Sequence, residues 1–268
     1  MSLNFGTNVS DRVDCGSAAI LDDLPSSTNG FTVLSITKRT GTGANQQIVT
    51  KFQNTTTSSW NFLVDNAPSE GVTRFLILRP GGTHTDYITS TVTHPVDQWT
   101  FAAGTFKNGD TPAMSIYHSS MNAEVSEASY NTSTNGSGAL TSEAAANLYI
   151  GNLQLNTNTP FKGDIGIVAV VNRKMTLAEC KDWKGNPRMI AGCIGFWRLG
   201  ENGTGTQPDY SGNANAGTVT GATVSANPPI SRPYRQLTLV TPTPPANYLP
   251  LIGGGLINSR LTQGRLVA

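Results

Sequence analysis

Charged residues are scarce in this sequence, at 13% of 268 residues, and they nearly cancel to a formal net charge of +1. Without a run of Lys and Arg, the chain lacks the electrostatic footprint of proteins that bind nucleic acid or anionic membranes. No apolar run reaches the length of a membrane span. The stretch after Met1 also lacks the basic and apolar regions of a secretory signal peptide. We therefore expect neither nucleic acid nor membrane among the partners.

Cysteine is also rare, since the chain holds only Cys15, Cys180 and Cys193. This number is odd, and the spacing matches neither C-x-x-C nor a Cys/His metal site. We expect buried or free thiols rather than a disulfide framework or a zinc site.

Motifs for catalysis are missing as well. His84, His94 and His118 are far apart in the sequence, and no G-x-S-x-G, H-E-x-x-H or P-loop pattern occurs. Glycosidases need two carboxylates that both point into one active site. The closest pair, Glu124 and Glu127, would face opposite sides of a strand, and their surroundings are typical of a loop. The sequence predicts that they are solvated loop residues and that the protein is not an enzyme.

Apolar segments with β-branched residues alternate with turn-rich spacers, which predicts an antiparallel two-sheet sandwich. Gly163–Val171 is apolar without a helical period and indicates a strand covered on both faces. The other predicted strands are Phe31–Lys38, Ile48–Phe52, Trp60–Asp65, Val72–Leu78, Trp99–Thr105 and Ala113–His118. Asn131–Ser142 is polar and contains Gly, so we expect an exposed loop there.

A short helix is predicted directly after the apolar strand. Thr176 and Glu179 have the T-x-x-E spacing of a capping box, in which both side chains satisfy backbone N–H groups of the first turn. Gly185 and Pro187 should end this helix after two turns.

Several segments together resemble the laminin G-like, concanavalin A-type jelly roll. The segments are Leu3–Ser17, Asn29–Arg39, Gln98–Tyr117, Leu148–Asn152 and the run GDIGIVAVVNRKMTLAE at positions 163–179. This resemblance covers residues 1 to about 185. It implies an all-β, antiparallel jelly-roll sandwich in which Leu3–Phe5 pairs near Ile165–Val171.

A second module follows from Gly192 to Val224, and its D-x-S-G-N turn at Asp209–Asn213 is also similar to a laminin G-like segment. Many domains of that family hold calcium, which makes Asp209 and Asn213 candidate metal ligands. Asp and Asn are equally ordinary turn residues, so hydrogen bonding within the turn is the alternative. No other cofactor is expected.

The C-terminal segment 226–268 contains seven of the fifteen prolines, which predicts an extended arm. Its aliphatic residues are too apolar for a solvated linker, so we expect the arm to dock on a neighbouring surface. The candidate docking residues are Leu249, Leu251, Ile252, Leu256, Ile257, Leu261 and Leu266, followed by Val267. The predicted organisation is a sandwich at 1–190, a partial strand unit at 191–225 and the arm at 226–268.

These features lead to three functional hypotheses. The first is a bacteriophage virion protein, made in the host cytoplasm, that decorates the capsid and is anchored through its arm to other virion proteins or to its own copies. The second is a lectin-like adhesion module of a tail or fibre that binds a glycan. The third, a glycosidase, lacks its carboxylates. Tryptophans at strand and helix positions are expected in the core, whereas Tyr87, Tyr130 and Tyr210 are better candidates for stacking on a ligand.

Overall fold

Two antiparallel β-sheets pack face to face in this protein, as the sequence predicts. The computed structural model describes residues 1–229, except positions 7, 44, 53–58, 68, 81–84 and 154–158. The predicted docking residues of the arm, Leu249 to Leu266, lie outside the described residues, as does His84. Among the described residues, no helix is long and apolar enough to cross a membrane.

The described residues contain sixteen strands and one α-helix. In chain order they are β1 (Ser2–Phe5), β2 (Arg12–Asp14), β3 (Phe31–Arg39), β4 (Gln46–Lys51), β5 (Ser59–Asp65), β6 (Val72–Leu78), β7 (Thr85–Thr93), β8 (Trp99–Phe106), β9 (Met114–Ser120), β10 (Ser126–Glu127), β11 (Tyr130–Thr134), β12 (Leu148–Ile150), β13 (Gly163–Val171), α1 (Leu177–Gly185), β14 (Cys193–Arg198), β15 (Thr218–Thr220) and β16 (Thr223–Ser225). Two short 3-10 turns, Ala19–Leu21 and Leu24–Ser26, lie between β2 and β3.

Sheet I has the order β10-β9-β8-β3-β13-β1-β16, and β14 also pairs with β13. Sheet II has the order β11-β7-β6-β5-β4-β12-β2-β15. The N-terminal strand closes sheet I as predicted, because Leu3 pairs with Ile165. β14 continues along the same edge of β13 from position 167 to 171. The second module therefore contributes strands to both sheets.

The central strand β13 is buried along its full length. Ile165, Val168 and Val170 face the core between the sheets, while Ile167, Ala169 and Val171 face a second apolar cluster outside sheet I. The pairing of β13 with β3 is irregular between Ile165 and Ile167, and this shifts by one residue which side chains face each side of the sheet. This double burial explains why the sequence of β13 is continuously apolar.

Helix α1 covers the outer face of sheet I. The Thr176 hydroxyl accepts a hydrogen bond from the Glu179 N–H, and the Glu179 carboxylate accepts one from the Thr176 N–H at 2.8 Å, which confirms the capping box. Cys180 and Trp183 anchor the helix in the second apolar cluster beside Phe101 and Phe196.

All six other strands predicted from the sequence are present, and their ends differ by at most two residues. Two predictions were wrong in detail. Part of the expected loop Asn131–Ser142 belongs to β11, and Glu127 lies on the two-residue strand β10 rather than in a loop. Both strands pair at the margins of their sheets, where exposed polar residues resemble loop sequence.

Candidate functional site

The outer face of sheet II carries a transverse row of polar and aromatic side chains. Trp60 and Phe62 of β5 are buried in the core, so Asn61 between them points to the outer face. Asn61 pairs with Thr50 of β4, and Thr50 pairs with Tyr149 of β12. Tyr149 in turn pairs with Asp14 of β2. We call these four cross-strand neighbours, Asp14, Tyr149, Thr50 and Asn61, the polar row.

Two atoms of the polar row have no hydrogen-bond partner although they are buried: the Thr50 hydroxyl oxygen and Asn61 Oδ1. Gln47 Oε1, two pairs along from Thr50 in the pairing of β4 with β5, has none either. Leaving a buried polar atom unpaired costs about 1–3 kcal/mol. Thr50, Asn61 and Gln47 are all buried, and an unpaired polar atom in such a place calls for an explanation, such as a bound water or a functional role.

One tyrosine ring lies within the polar row and a second lies beyond its Asn61 end, and an arginine stands over each ring. The Arg12 guanidinium lies 5.8 Å from the centre of the Tyr149 ring, and the Arg74 guanidinium lies 4.9 Å from that of Tyr87. Arg74 also donates to Asp65 at 3.0 Å. These contacts hold both rings in defined orientations.

Charges around the row are organised by short contacts. Asn147 Nδ2 donates to Asp14 Oδ1 at 3.1 Å, and the Gly16 N–H donates to the same oxygen at 2.9 Å. Burial and the neighbouring Asp14 carboxylate raise the pKa of the Tyr149 phenol, so this hydroxyl remains protonated and can donate a hydrogen bond. The row therefore combines hydroxyl, amide and carboxylate groups with oriented aromatic rings, which is the set that recognises a polyhydroxylated ligand.

The predicted stacking residues lie in different places. Tyr87 is partly exposed and shares the outer face with the polar row, because it pairs with Leu76, the partner of Asn61. The Tyr130 ring instead packs on the core, and its hydroxyl donates to Glu127 at 2.7 Å. Tyr210 is 44% exposed and its hydroxyl donates to Glu201 at 3.0 Å. Trp60, Trp183 and Trp197 are fully buried, as expected.

Asp209 and Asn213 come together in one hydrogen-bonded turn. Asp209 Oδ1 accepts from the N–H groups of Phe196 and Ser211, and Oδ2 accepts from the Ser211 hydroxyl and the Asn215 N–H. The Asn213 side-chain amide donates to the Ile194 carbonyl at 3.2 Å. Over the part of the chain that the structure describes, no three His, Cys, Asp or Glu residues form a metal-binding group. These contacts fit the turn alternative, and calcium binding by Asp209 and Asn213 is left untested by them.

The remaining candidates are accounted for by local contacts. Glu124 is exposed and forms an ion pair with Lys181 at 3.5 Å. His94 and His118, distant in sequence, lie together in the interior with ring centres 5.0 Å apart. Cys15, Cys180 and Cys193 are free thiols, and burial raises the pKa of each.

Sequence reasoning identified Tyr87 but missed Thr50, Asn61 and Tyr149. The alternation around Asn61, which stands between Trp60 and Phe62, already indicates an outward polar side chain. Its neighbours Thr50 and Tyr149 depend on strand register, which periodicity does not reveal.

Comparison with known proteins places this geometry in context. Residues 14–181, more than half of the chain, match the laminin G-type family described as the concanavalin A-like lectin/glucanases superfamily. No curated protein matches the sequence significantly.

Solved structures with a similar fold have distant sequences. A protein described as carbohydrate binding from Bacteroides ovatus is 15% identical with a TM-score of 0.56, and the match covers 86% of this chain and 61% of that one. The enzymatically active domain of tailspike protein 2 from bacteriophage CBA120 is 13% identical with a TM-score of 0.43, covering 74% and 33%. Domains LG4-5 of the mouse laminin alpha1 chain are 13% identical with a TM-score of 0.42, covering 66% and 43%. The chain thus spans 61% of the length of the Bacteroides protein, and this likeness concerns the fold alone.

Proposed function

The chain belongs to the concanavalin A-like lectin/glucanase superfamily, and on this premise we propose that it is a non-catalytic carbohydrate-binding domain. The observation that carries the proposal is the polar row on sheet II, where the buried Thr50 hydroxyl and Asn61 Oδ1 have no partner. Sugar hydroxyls would supply the missing hydrogen bonds once the contacts that bury Thr50 (0% exposed) and Asn61 (6% exposed) open, and the partly exposed Tyr87 ring offers a stacking surface on the same face.

Thr50→Val tests this proposal, since valine keeps the volume of threonine and removes the hydroxyl. A glycan array first identifies a bound oligosaccharide, and titration calorimetry then measures its affinity. We expect Thr50→Val to weaken binding at least tenfold, about 1.4 kcal/mol. Thermal stability should not fall, because the hydroxyl has no partner in the folded protein.

Thr37→Val is the matched control for this experiment. The Thr37 hydroxyl is also buried and unpartnered, but it lies on β3 of sheet I. Its replacement should leave affinity unchanged. Equal losses in the two variants, or no binding to any glycan of a broad array, would contradict the proposed function.

We further propose that the domain has no hydrolase activity. Glu124 is exposed and paired with Lys181, and Glu127 accepts a hydrogen bond from Tyr130, so both carboxylates have local roles. The double variant Glu124→Gln/Glu127→Gln should show the same absence of cleavage as the wild type on laminarin, chitin and bacterial polysaccharides. Cleavage by the wild type alone would overturn this statement.

A second proposal concerns where the domain acts. The Pro-rich, aliphatic arm favours a virion protein of a bacteriophage, either a capsid decoration subunit or a tail or fibre component, with the arm docked on other virion proteins or on a second copy. Deleting residues 249–268 should leave thermal unfolding unchanged and abolish assembly or particle binding. A truncated protein that aggregates or unfolds at a much lower temperature would show that the arm completes its own domain.

A further inference from the structure

A lysine, an aspartate and a glutamate meet in the interior at the end of β4, on the core side of sheet II and therefore on the face opposite the polar row. Lys51, the last residue of β4, has no solvent-accessible surface, and its Nζ lies 2.8 Å from Asp22 Oδ1. The same Nζ donates to the Ala146 carbonyl at 2.6 Å. A fully buried lysine ammonium carries a large desolvation penalty, which its pairing with a carboxylate only partly offsets.

Apolar residues surround this ion pair. Lys51 pairs across the sheet with Trp60 and with Leu148, both fully buried. Leu21 and Leu24, on either side of Asp22, are buried in the same core. In such a medium the desolvation of the two charges is costly.

Glu143 is near enough to Lys51 for their charges to interact. Its side chain is buried, and neither carboxylate oxygen has a hydrogen bond of ordinary geometry. The Ala146 N–H donates to the Glu143 carbonyl at 2.8 Å, so the turn that carries Glu143 also supplies the carbonyl that Lys51 contacts. Burial and the Asp23 carboxylate raise the pKa of Glu143 to about 7, against the opposing influence of its own backbone N–H, of Lys51 and of the Leu24 backbone N–H. A carboxyl group of this kind exchanges protons near neutral pH.

We propose that Lys51 and Asp22 form an intramolecular isopeptide bond, with Glu143 as the proton carrier. Proton transfer within the ion pair gives a neutral amine and a carboxylic acid. The lone pair of Lys51 Nζ then attacks Asp22 Cγ, which forms the C–N bond. Glu143 accepts a proton from the nitrogen and delivers it to the departing hydroxyl group, so the C–O bond breaks and water leaves.

The reaction is balanced without any co-reactant, since one ammonium and one carboxylate give one amide and one water molecule. Two features favour it in this position. The reacting groups are held in contact by the fold, which raises their effective concentration by orders of magnitude. The neutral amide also removes two buried charges at once. The Asp22 side chain retains 13% exposure, which gives the water a path to solvent.

Intact-protein mass spectrometry tests the proposal on the full-length chain. We expect the denatured wild type to weigh one water molecule less than its sequence mass. After trypsin digestion, segment 13–38, which contains Asp22, should remain joined to segment 40–74, which contains Lys51. Trypsin should not cut after Lys51, because the side-chain amine is part of the cross-link. The full sequence mass in the folded wild type would overturn the proposal.

Variants assign the three roles. Lys51→Met and Asp22→Ala should have their full sequence masses, whereas Asp22→Asn should still cross-link and lose ammonia in place of water. Glu143→Gln should lose the cross-link or form it at least tenfold more slowly. Equally fast formation in Glu143→Gln would overturn the role of Glu143.

Lys38 and Asp164 provide an internal control, because their contact is also 2.8 Å but Lys38 is 23% exposed. No joined peptide should contain this pair.

Hydroxylamine treatment distinguishes the proposed isopeptide bond from an aspartyl succinimide, which also lacks one water molecule. A mass deficit that hydroxylamine removes, or that persists in Lys51→Met, would contradict the proposal.

Discussion

His94 and His118 form a buried pair whose protonation is linked to stability. His94 Nε2 lies 2.8 Å from the Thr73 hydroxyl, while His94 Nδ1 and His118 Nε2 have no partner. The charged neighbours of His94 include Arg39, which pairs with Glu70. Burial lowers the pKa of His118 to about 4, and burial, His118 and Arg39 lower that of His94. The folded state therefore resists protonation of both rings.

The sign of the resulting pH dependence follows from linkage. The unfolded histidine binds a proton below about pH 6.5, while folded His118 does so only near pH 4, so stability falls as the pH decreases through this range. Between pH 7.5 and pH 5, His118 alone should lower the free energy of unfolding by about 2 kcal/mol. Over the same pH interval, the free energy of unfolding of His118→Gln should fall by about 2 kcal/mol less than that of the wild type. Urea unfolding at both pH values measures this difference. An identical pH dependence in variant and wild type would contradict the assignment.

Glu143 should act in the opposite direction. Its pKa is raised from 4.5 to about 7 in the folded protein, so its contribution to stability is present at low pH and is lost as the pH rises through that range. The free energy of unfolding of Glu143→Gln should therefore increase relative to wild type between pH 5 and pH 7.5. A relative decrease would show that the carboxyl group is stabilised in its charged form.

Gly104 illustrates how closely the core is packed. A Cβ atom at this position would lie 2.8 Å from Phe75 Cδ1 and 3.0 Å from Phe62 Cδ2, two rings that pack edge to face. Gly104→Ala should cost about 1–3 kcal/mol through overpacking, measured by chemical unfolding. Gly185→Ala is the control, because nothing lies within 4 Å of the added atom. A loss of similar size at Gly185 would mean that packing is not the cause.

At the scale of single elements, local rules explain the helix better than the strands. The capping box of α1 is encoded by Thr176 and Glu179 alone and was predictable from four consecutive residues. The strand β7, with the sequence TDYITSTVT, was not predicted because its Thr and Ser residues resemble those of a turn. Its partner β6 supplies the hydrogen bonds that make it a strand, and this partner is not visible in local composition.

The cap of α1 is directly testable. Thr176→Ala should lower the free energy of unfolding by about 0.5–2 kcal/mol, because the Glu179 N–H loses its acceptor. Thr176→Ser retains the hydroxyl and should remain close to wild type. If both variants unfold like the wild type, the helix end does not depend on this hydrogen bond.

The turn at Asp209 gives a second prediction at this scale. The two carboxylate oxygens of Asp209 accept four hydrogen bonds. Hydrogen bonding within the turn is therefore a sufficient reason for aspartate at this position. We expect the thermal midpoint to be the same in millimolar calcium and in chelator, and Asp209→Ala to lower it equally in both. A calcium-dependent rise that Asp209→Ala removes would establish the metal site.

For the whole molecule, the architecture was predictable and the polar row was not. The alternation of short strands indicated a two-sheet sandwich, and the resemblance of ordered segments indicated how Leu3 meets Ile165. Neither source reveals that Thr50, Asn61 and Tyr149 are neighbours, since that depends on the register of three strands. The contact of Lys51 with Asp22 was likewise invisible, because it joins a strand end to a loop 29 positions away.

Carbohydrate binding by the outer face of sheet II can be followed residue by residue in an NMR titration. Asn61 should be followed through its side-chain amide signal as the oligosaccharide selected by the glycan array is added. We expect a saturable shift of this signal, while the side-chain amide signal of the exposed Asn122, beyond the end of β9 in sheet I, stays unchanged. Saturable binding that leaves the Asn61 signal in place would contradict the proposed binding at this face.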